Sequence, residues 1–256
     1  MYNRHSNLIG VIHFMRIHAI HKLYQHRLSQ CTRPYLARGS RIERCTNCML
    51  LPYLCICSLK KTVHSNSAFL LLMYDDEILK PSNTGRLIAD LIPDTYAFIW
   101  SRTEPDQAML ALLNDPQWFP MVIFPAEYST PERILSTYPG AAENQRPLFI
   151  LLDASWAQAK KMFRKSPYLD KLPVVSFSPE TLSRYLVRKA AKDNQLATAE
   201  VAGLALEFIG EKENAQVMDL LFETFKENYM LGKKRRQLPE QAMQYRLAEK
   251  LDKLPE

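Results

Sequence analysis

Glycine is scarce in this chain, with seven residues in 256, and no two of them stand in the spacing of a dinucleotide-binding G-x-G-x-x-G or a P-loop. Nucleotide binding by a glycine cradle is therefore disfavoured. Long apolar runs are missing too: none reaches the roughly 18 residues that a membrane-spanning helix needs. The nearest approach, residues 8–28, is broken by Arg16, Lys22, Arg27 and several histidines. Acid is absent from the whole N-terminal segment, where Glu43 is the first carboxylate. Such a stretch reads as a transit peptide, an RNA-contacting arm, or an extension upstream of a later start at Met15; the last is the expectation here. Its five histidines lack metal-site spacing and receive no role. Internal repeats and low-complexity linkers are also lacking.

What is present is an ordinary globular composition, 47% hydrophobic and 23% charged. The net charge of +6 and isoelectric point near 9.0 suit a polyanionic partner. The excess is clustered, at Lys160, Lys161, Arg164 and Lys165 and again at Lys233-Lys234-Arg235-Arg236.

Cysteine usage is uneven. Cys31 stands alone, a bystander, while Cys45, Cys48, Cys55 and Cys57 form C-x2-C-x6-C-x-C. Four thiolates so close can surround one tetrahedral zinc, and the x2 spacing is that of a zinc-knuckle turn. Disulfides are disfavoured in a reducing compartment, and a thioredoxin-type pair belongs at a strand–helix junction. With thiolate filling every position the metal would be structural, because a catalytic zinc keeps one position open.

Beyond residue 66 short apolar runs alternate with helical patterns. Strands are expected at 67–74, 96–100, 121–125, 147–153 and 172–177. Helices are expected at Thr84–Leu91, Pro105–Leu113, Pro131–Tyr138, Ser155–Lys165, Thr198–Ile209 and about Ala215–Leu231. Continuously apolar strands separated by helices predict an α/β fold with a mainly parallel sheet covered on both faces. Ligands in such sheets bind beyond the carboxyl ends of the strands. The polar groups at those ends are therefore the candidates. "KPSNTGR" (80–86) supplies either a plain helix cap from Ser82 or Asn83, or a ligand site that also uses Lys80 and Arg86. Asp153 reads as a helix N-cap or a catalytic carboxylate, and Trp156 as core or as a stacking platform for a base. The basic helix that follows them can hold backbone phosphates.

Taken in order, the cysteine cluster, "KPSNTGRLIADLIP", "WSRTEPD", "FPAEY", "DASW", "FRKSPYL" and "TAEVA" resemble the DTW-domain proteins, over about residues 40–232. That family is named for Asp-x-Thr/Ser-Trp, here Asp153-Ala154-Ser155-Trp156, with a serine that keeps the hydroxyl. The set looks like the bacterial tRNA-uridine aminocarboxypropyltransferase branch. The resemblance implies a SPOUT-like fold with a deep C-terminal trefoil knot, which general topology rules would have argued against. It implies S-adenosylmethionine as donor and transfer of its 3-amino-3-carboxypropyl group to N3 of a uridine in the tRNA variable loop. Asp153, Ser155 and Trp156 would then be catalytic. Ser82, Asn83, Thr84, Arg86, Glu127, Thr198 and Glu200 would bind the donor, and Lys160, Lys161, Arg164 and Lys165 the RNA.

The donor is already activated as a sulfonium, so the protein must orient it. The N3 proton must leave, which is work for a general base such as Asp153. Methyl transfer from the same donor would leave much the same residues, and a zinc-containing RNA-binding protein without chemistry is a further alternative. The expected layout is an extension (1–37), a four-cysteine zinc module (38–62), a catalytic domain (63–235) and a tail (236–256), in a cytoplasmic, monomeric protein.

Overall fold

In the computed structural model, residues 16–32, 42–140, 144–177 and 196–254 are described. Six parallel strands form one sheet: β1 (Ala68–Met73), β2 (Thr95–Ile99), β3 (Trp118–Ile123), β4 (Ile134–Leu135), β5 (Arg146–Asp153) and β6 (Val174–Val175), in the order β2-β1-β5-β3-β6-β4. β1 shows why the sheet is two-sided. All six of its residues are buried; Phe69, Leu71 and Met73 enter one core, while Ala68, Leu70 and Leu72 enter the other. Alternation of side chains across a strand forces this split, and burial on both faces removes any need for polar positions.

The first face is covered by α1 (Ala19–Ser29), α2 (Gly85–Leu91), α5 (Thr198–Phe208), α6 (Lys212–Lys233) and α7 (Met243–Asp252). The second is covered by α3 (Gln107–Asn114) and α4 (Trp156–Arg164). Local chemistry sets several helix starts. Asp106 caps α3 by accepting from the Ala108 and Met109 amides at 2.8 and 3.2 Å. Ser155 and Gln158 form a capping box at the start of α4.

Three segments depart from expectation. No helix forms over Pro131–Tyr138: a single 3-10 turn, Pro131–Arg133, leads into β4, whose Ile134 and Leu135 stand in register with Val174 and Val175 at the sheet edge. The run 172–177 contributes only the two residues of β6. Finally, residues 243–252 of the expected tail are helical, and Leu247 and Leu251 of α7 are buried in the first core. The N-terminal segment also joins the fold from Arg16 onward, since Ile20 of α1 is fully buried. The expected knot depends on the chain path between Phe177 and Leu196, and residues 178–195 lie outside those described.

Candidate functional site

The central strand β5 lies between β1 and β3, where the sheet order reverses, and Asp153 is its last residue. The carboxylate is 4% exposed, too buried for a solvent-facing cap. The start of α4 is capped instead at Ser155, whose side chain accepts from the Gln158 amide while Gln158 Oε1 accepts from the Ser155 amide at 3.0 Å. Asp153 is held from two other elements. Asn83 Nδ2 donates to its Oδ2 at 2.8 Å, and the Thr198 hydroxyl donates to its Oδ1 at 2.7 Å. Gly85 is part of the same nest: a Cβ there would fall 2.8 Å from Asp153 Oδ2, so only glycine lets α2 start this close to the carboxylate.

Burial dominates the electrostatics of Asp153. Removing the carboxylate from water pushes its pKa up to about 6, against the opposing hydrogen bonds from Asn83 and Thr198. The group therefore changes charge close to neutrality, as a general base should. Asn83 is itself buried, and its Oδ1 has no hydrogen-bond partner among the described residues. A buried acceptor left open at a strand end is suited to a ligand's ammonium or hydroxyl.

A cavity of about 570 Å³ opens beside the nest, lined chiefly by Phe124, Leu152, Trp156, Val175, Phe177 and Thr198. Its size and apolar lining suit a nucleoside-sized ligand. The aromatic rings on its wall are stacked: Trp156 on Phe124, with centroids 5.5 Å apart, and Phe124 on Phe163 at 4.3 Å. Trp156 ends this stack and is 42% exposed, so a further flat ring can continue it. The Lys160 ammonium lies 5.6 Å from the Trp156 ring centre, and that of Lys161 lies 5.7 Å from Trp100. Arg164 and the C-cap residue Lys165 are exposed at the end of the same helix, while Ala159, Met162 and Phe163 form its buried face.

Asp153, Asn83, Thr198 and Trp156 thus converge, with Thr84 beside them accepting from the Ala199 amide at 3.3 Å. The other expected donor-site residues sit differently. Glu200 is buried and accepts from the Ala197 amide at 2.8 Å at the start of α5. Arg86 is 1% exposed and donates to the backbone carbonyls of Asn83 and Lys80, bracing the 80–86 loop from beneath. Ser82 and Glu127 are exposed, and neither lines the cavity.

The four cysteines gather as their spacing anticipates. Cys45 and Cys57 Sγ are 3.6 Å apart, and Cys48 and Cys55 Sγ 3.7 Å. A tetrahedral zinc with bonds of about 2.3 Å places its sulfurs about 3.8 Å apart, close to these two separations, and all four sulfurs lie within 4.8 Å of one another, so the cluster could hold such an ion. Hydrogen bonds from Cys48 and then Cys57 push the Cys55 thiol down to about 3, while the Cys57 thiol is pushed up. A cation bound among the four sulfurs would ionise them all.

A second cluster corrects the reading of the N-terminal histidines. His18, His21 and Asp90 offer ligand atoms all within 4.8 Å of one another. His18 Nε2 lies 3.0 Å from Asp90 Oδ1, and His21 Nε2 lies 3.2 Å from the Asn47 carbonyl inside the cysteine turn. Desolvation lowers both imidazoles, His21 to about 4, so they are neutral at pH 7. The Lys60 ammonium, 2.8 Å from Asp90 Oδ1, already balances the carboxylate. The cluster is thus a tether that fastens α1 to α2 and the cysteine module. Histidine spacing could not reveal it, because its acid comes from a helix 72 residues away.

The DTW domain family model matches residues 42–230, well over half of the chain. The chain belongs to the DTW-domain family. That family is associated with tRNA modification. The match spans the cysteine cluster, the Asp153 nest and most of α6, and it begins after α1. No solved structure is significantly similar to the chain. Among the described residues no helix is long and apolar enough to cross a membrane.

Proposed function

We propose that the protein is a cytoplasmic tRNA-uridine aminocarboxypropyltransferase that moves the 3-amino-3-carboxypropyl group of S-adenosylmethionine to N3 of a variable-loop uridine. The observation that carries this reading is the buried Asp153 at the strand exit, its pKa raised to about 6 beside an apolar cavity. The donor's adenosine suits the cavity wall at Phe124, Leu152 and Val175, and Asn83 Oδ1 can accept from the ammonium of the donor's aminocarboxypropyl arm. When bound, the sulfonium supplies an already activated carbon.

The chain's residues do the rest. Trp156 offers its exposed ring to the uracil base, and Lys160, Lys161, Arg164 and Lys165 neutralise flanking phosphates. Asp153, ionised above pH 6, takes the N3 proton; the N3–C bond forms as the C–S bond breaks, and methylthioadenosine leaves with the sulfur's electron pair. Asn83 and Thr198 keep the carboxylate aimed throughout. A zinc ion on Cys45, Cys48, Cys55 and Cys57 has a structural role, fixing the module on which α1 and α6 rest.

The by-product of the donor tests this reading against methyl transfer. Incubated with tRNA and S-adenosylmethionine, the protein should release methylthioadenosine in step with tRNA modification. S-adenosylhomocysteine in its place would make the protein a methyltransferase. A protein that binds tRNA but no S-adenosylmethionine would be an RNA-binding protein without chemistry.

A further inference from the structure

The second basic cluster lies where the end of α6 meets the cysteine module. Lys233, Lys234, Arg235 and Arg236 are all exposed, and among the described residues none stands within ion-pair distance of a carboxylate. Attraction to the helix dipole accounts for a cation in the last turn, but not for four in succession, the last two of them beyond the cap. The turn is built rigidly. The Arg236 amide donates to the Leu231 carbonyl at 3.0 Å and the Arg235 amide to that of Gly232 at 3.2 Å. Arg235 sits at φ 52°, a left-handed position that glycine or asparagine normally takes after a helix. An arginine in that conformation sets its charge on the exposed turn beside Lys233, Lys234 and Arg236.

The cysteine module contributes to the same surface. Arg44, just before Cys45, lies 5.8 Å from the Tyr229 ring centre, and Lys233 lies 6.0 Å from it, so cations from two segments share one ring. Tyr53, 49% exposed between the two cysteine pairs, donates its hydroxyl to the Arg236 carbonyl at 3.5 Å. A Cβ on Gly232 would meet Leu51 at 3.2 Å, which shows how closely the helix end is seated on the module.

We infer that this surface is a second RNA-binding site: built on other elements than α4, it grips further phosphates of the tRNA, with the Tyr53 ring open to stack on a base or ribose. The inference deepens the proposed function and rests on RNA being the substrate. It also gives the cysteine module a task beyond stability, since its fold presents Arg44 and Tyr53 beside the four cations.

The test compares wild type with a Lys233→Glu, Lys234→Glu, Arg235→Glu, Arg236→Glu variant and with Arg235→Gly, all metal-loaded. Binding of tRNA is followed across a salt series, and donor binding by calorimetry. For the quadruple variant the plot of log affinity against log salt should be shallower by about two to four, with donor affinity unchanged. Arg235→Gly should weaken tRNA binding several-fold while being at least as stable as wild type, because glycine relieves the left-handed backbone. Wild-type affinity and slope in both variants would overturn the inference while leaving the proposed function intact. A wild-type protein that binds no tRNA would sink both. Binding to anionic phosphatidylserine vesicles but not to tRNA, lost in the quadruple variant, would assign the surface to a membrane instead.

Discussion

Replacing Asp153 by asparagine separates the catalytic account from a purely structural one, because the two predict opposite stability changes. Burial raises the carboxyl from 3.8 to about 6, a shift of about two units, worth roughly 3 kcal/mol at 1.36 kcal/mol per unit. The sign follows from the direction. A carboxyl whose folded pKa is raised stabilises fully below its unfolded pKa, and that stability is lost as pH rises through the folded value near 6. At pH 8 the native protein therefore carries a buried charge it would fold better without. Asparagine has the same shape and no charge. Its oxygen can accept from Asn83, and its amide can donate to a reoriented Thr198 hydroxyl. Asp153→Asn should accordingly gain stability relative to wild type between pH 4 and pH 8, by roughly 2–3 kcal/mol in denaturant unfolding followed by circular dichroism. Turnover should fall by about a hundred- to ten-thousand-fold with both ligands still bound. A variant equally destabilised at both pH values would refute the electrostatic reasoning, and one that turns over within a few-fold of wild type would refute the base.

Other perturbations bear on neighbouring parts of the account. The wild-type single-turnover rate should rise with pH through about 6 and then level off; a rate independent of pH from 5 to 8 would remove Asp153 as the titrating group. Gly85→Ala places a methyl 2.8 Å from Asp153 Oδ2 and should slow turnover by up to about a hundred-fold with tRNA affinity unchanged. Cys48→Ser should lower bound zinc, measured by plasma mass spectrometry, together with the melting temperature; a metal-free wild type as stable as the loaded one would contradict the site. Reversing Lys160, Lys161, Arg164 and Lys165 to acids should weaken tRNA binding steeply while sparing the donor. Equal loss of both would indicate misfolding.

Much of this is legible in the sequence, for physical reasons that differ by element. β1 and β5 announce themselves because strands buried on both faces carry few polar residues, and the cysteines because one ion needs four ligands within a short span. β4 and β6 are obscured: two-residue strands hold their place through register with a neighbour, as Ile134 does with Val174, and periodicity is blind to that. The helix over 243–252 escapes notice although Leu247 and Leu251 stand one turn apart, because its charged surroundings resemble a solvated tail. At the site, Asp153 is found from its place at a strand end, but its environment is not. Burial, the clasp by Asn83 and Thr198, and the role of Gly85 come from three segments that only the fold brings together.

The central claim is the chemical identity of the transferred group, and nucleoside mass spectrometry tests it most directly. Transfer RNA incubated with the metal-loaded protein and S-adenosylmethionine, then digested to nucleosides, should yield a uridine heavier by one aminocarboxypropyl group, absent with Asp153→Asn. A uridine heavier by one methyl group, or tRNA left unchanged by a protein that binds both ligands, would contradict the account.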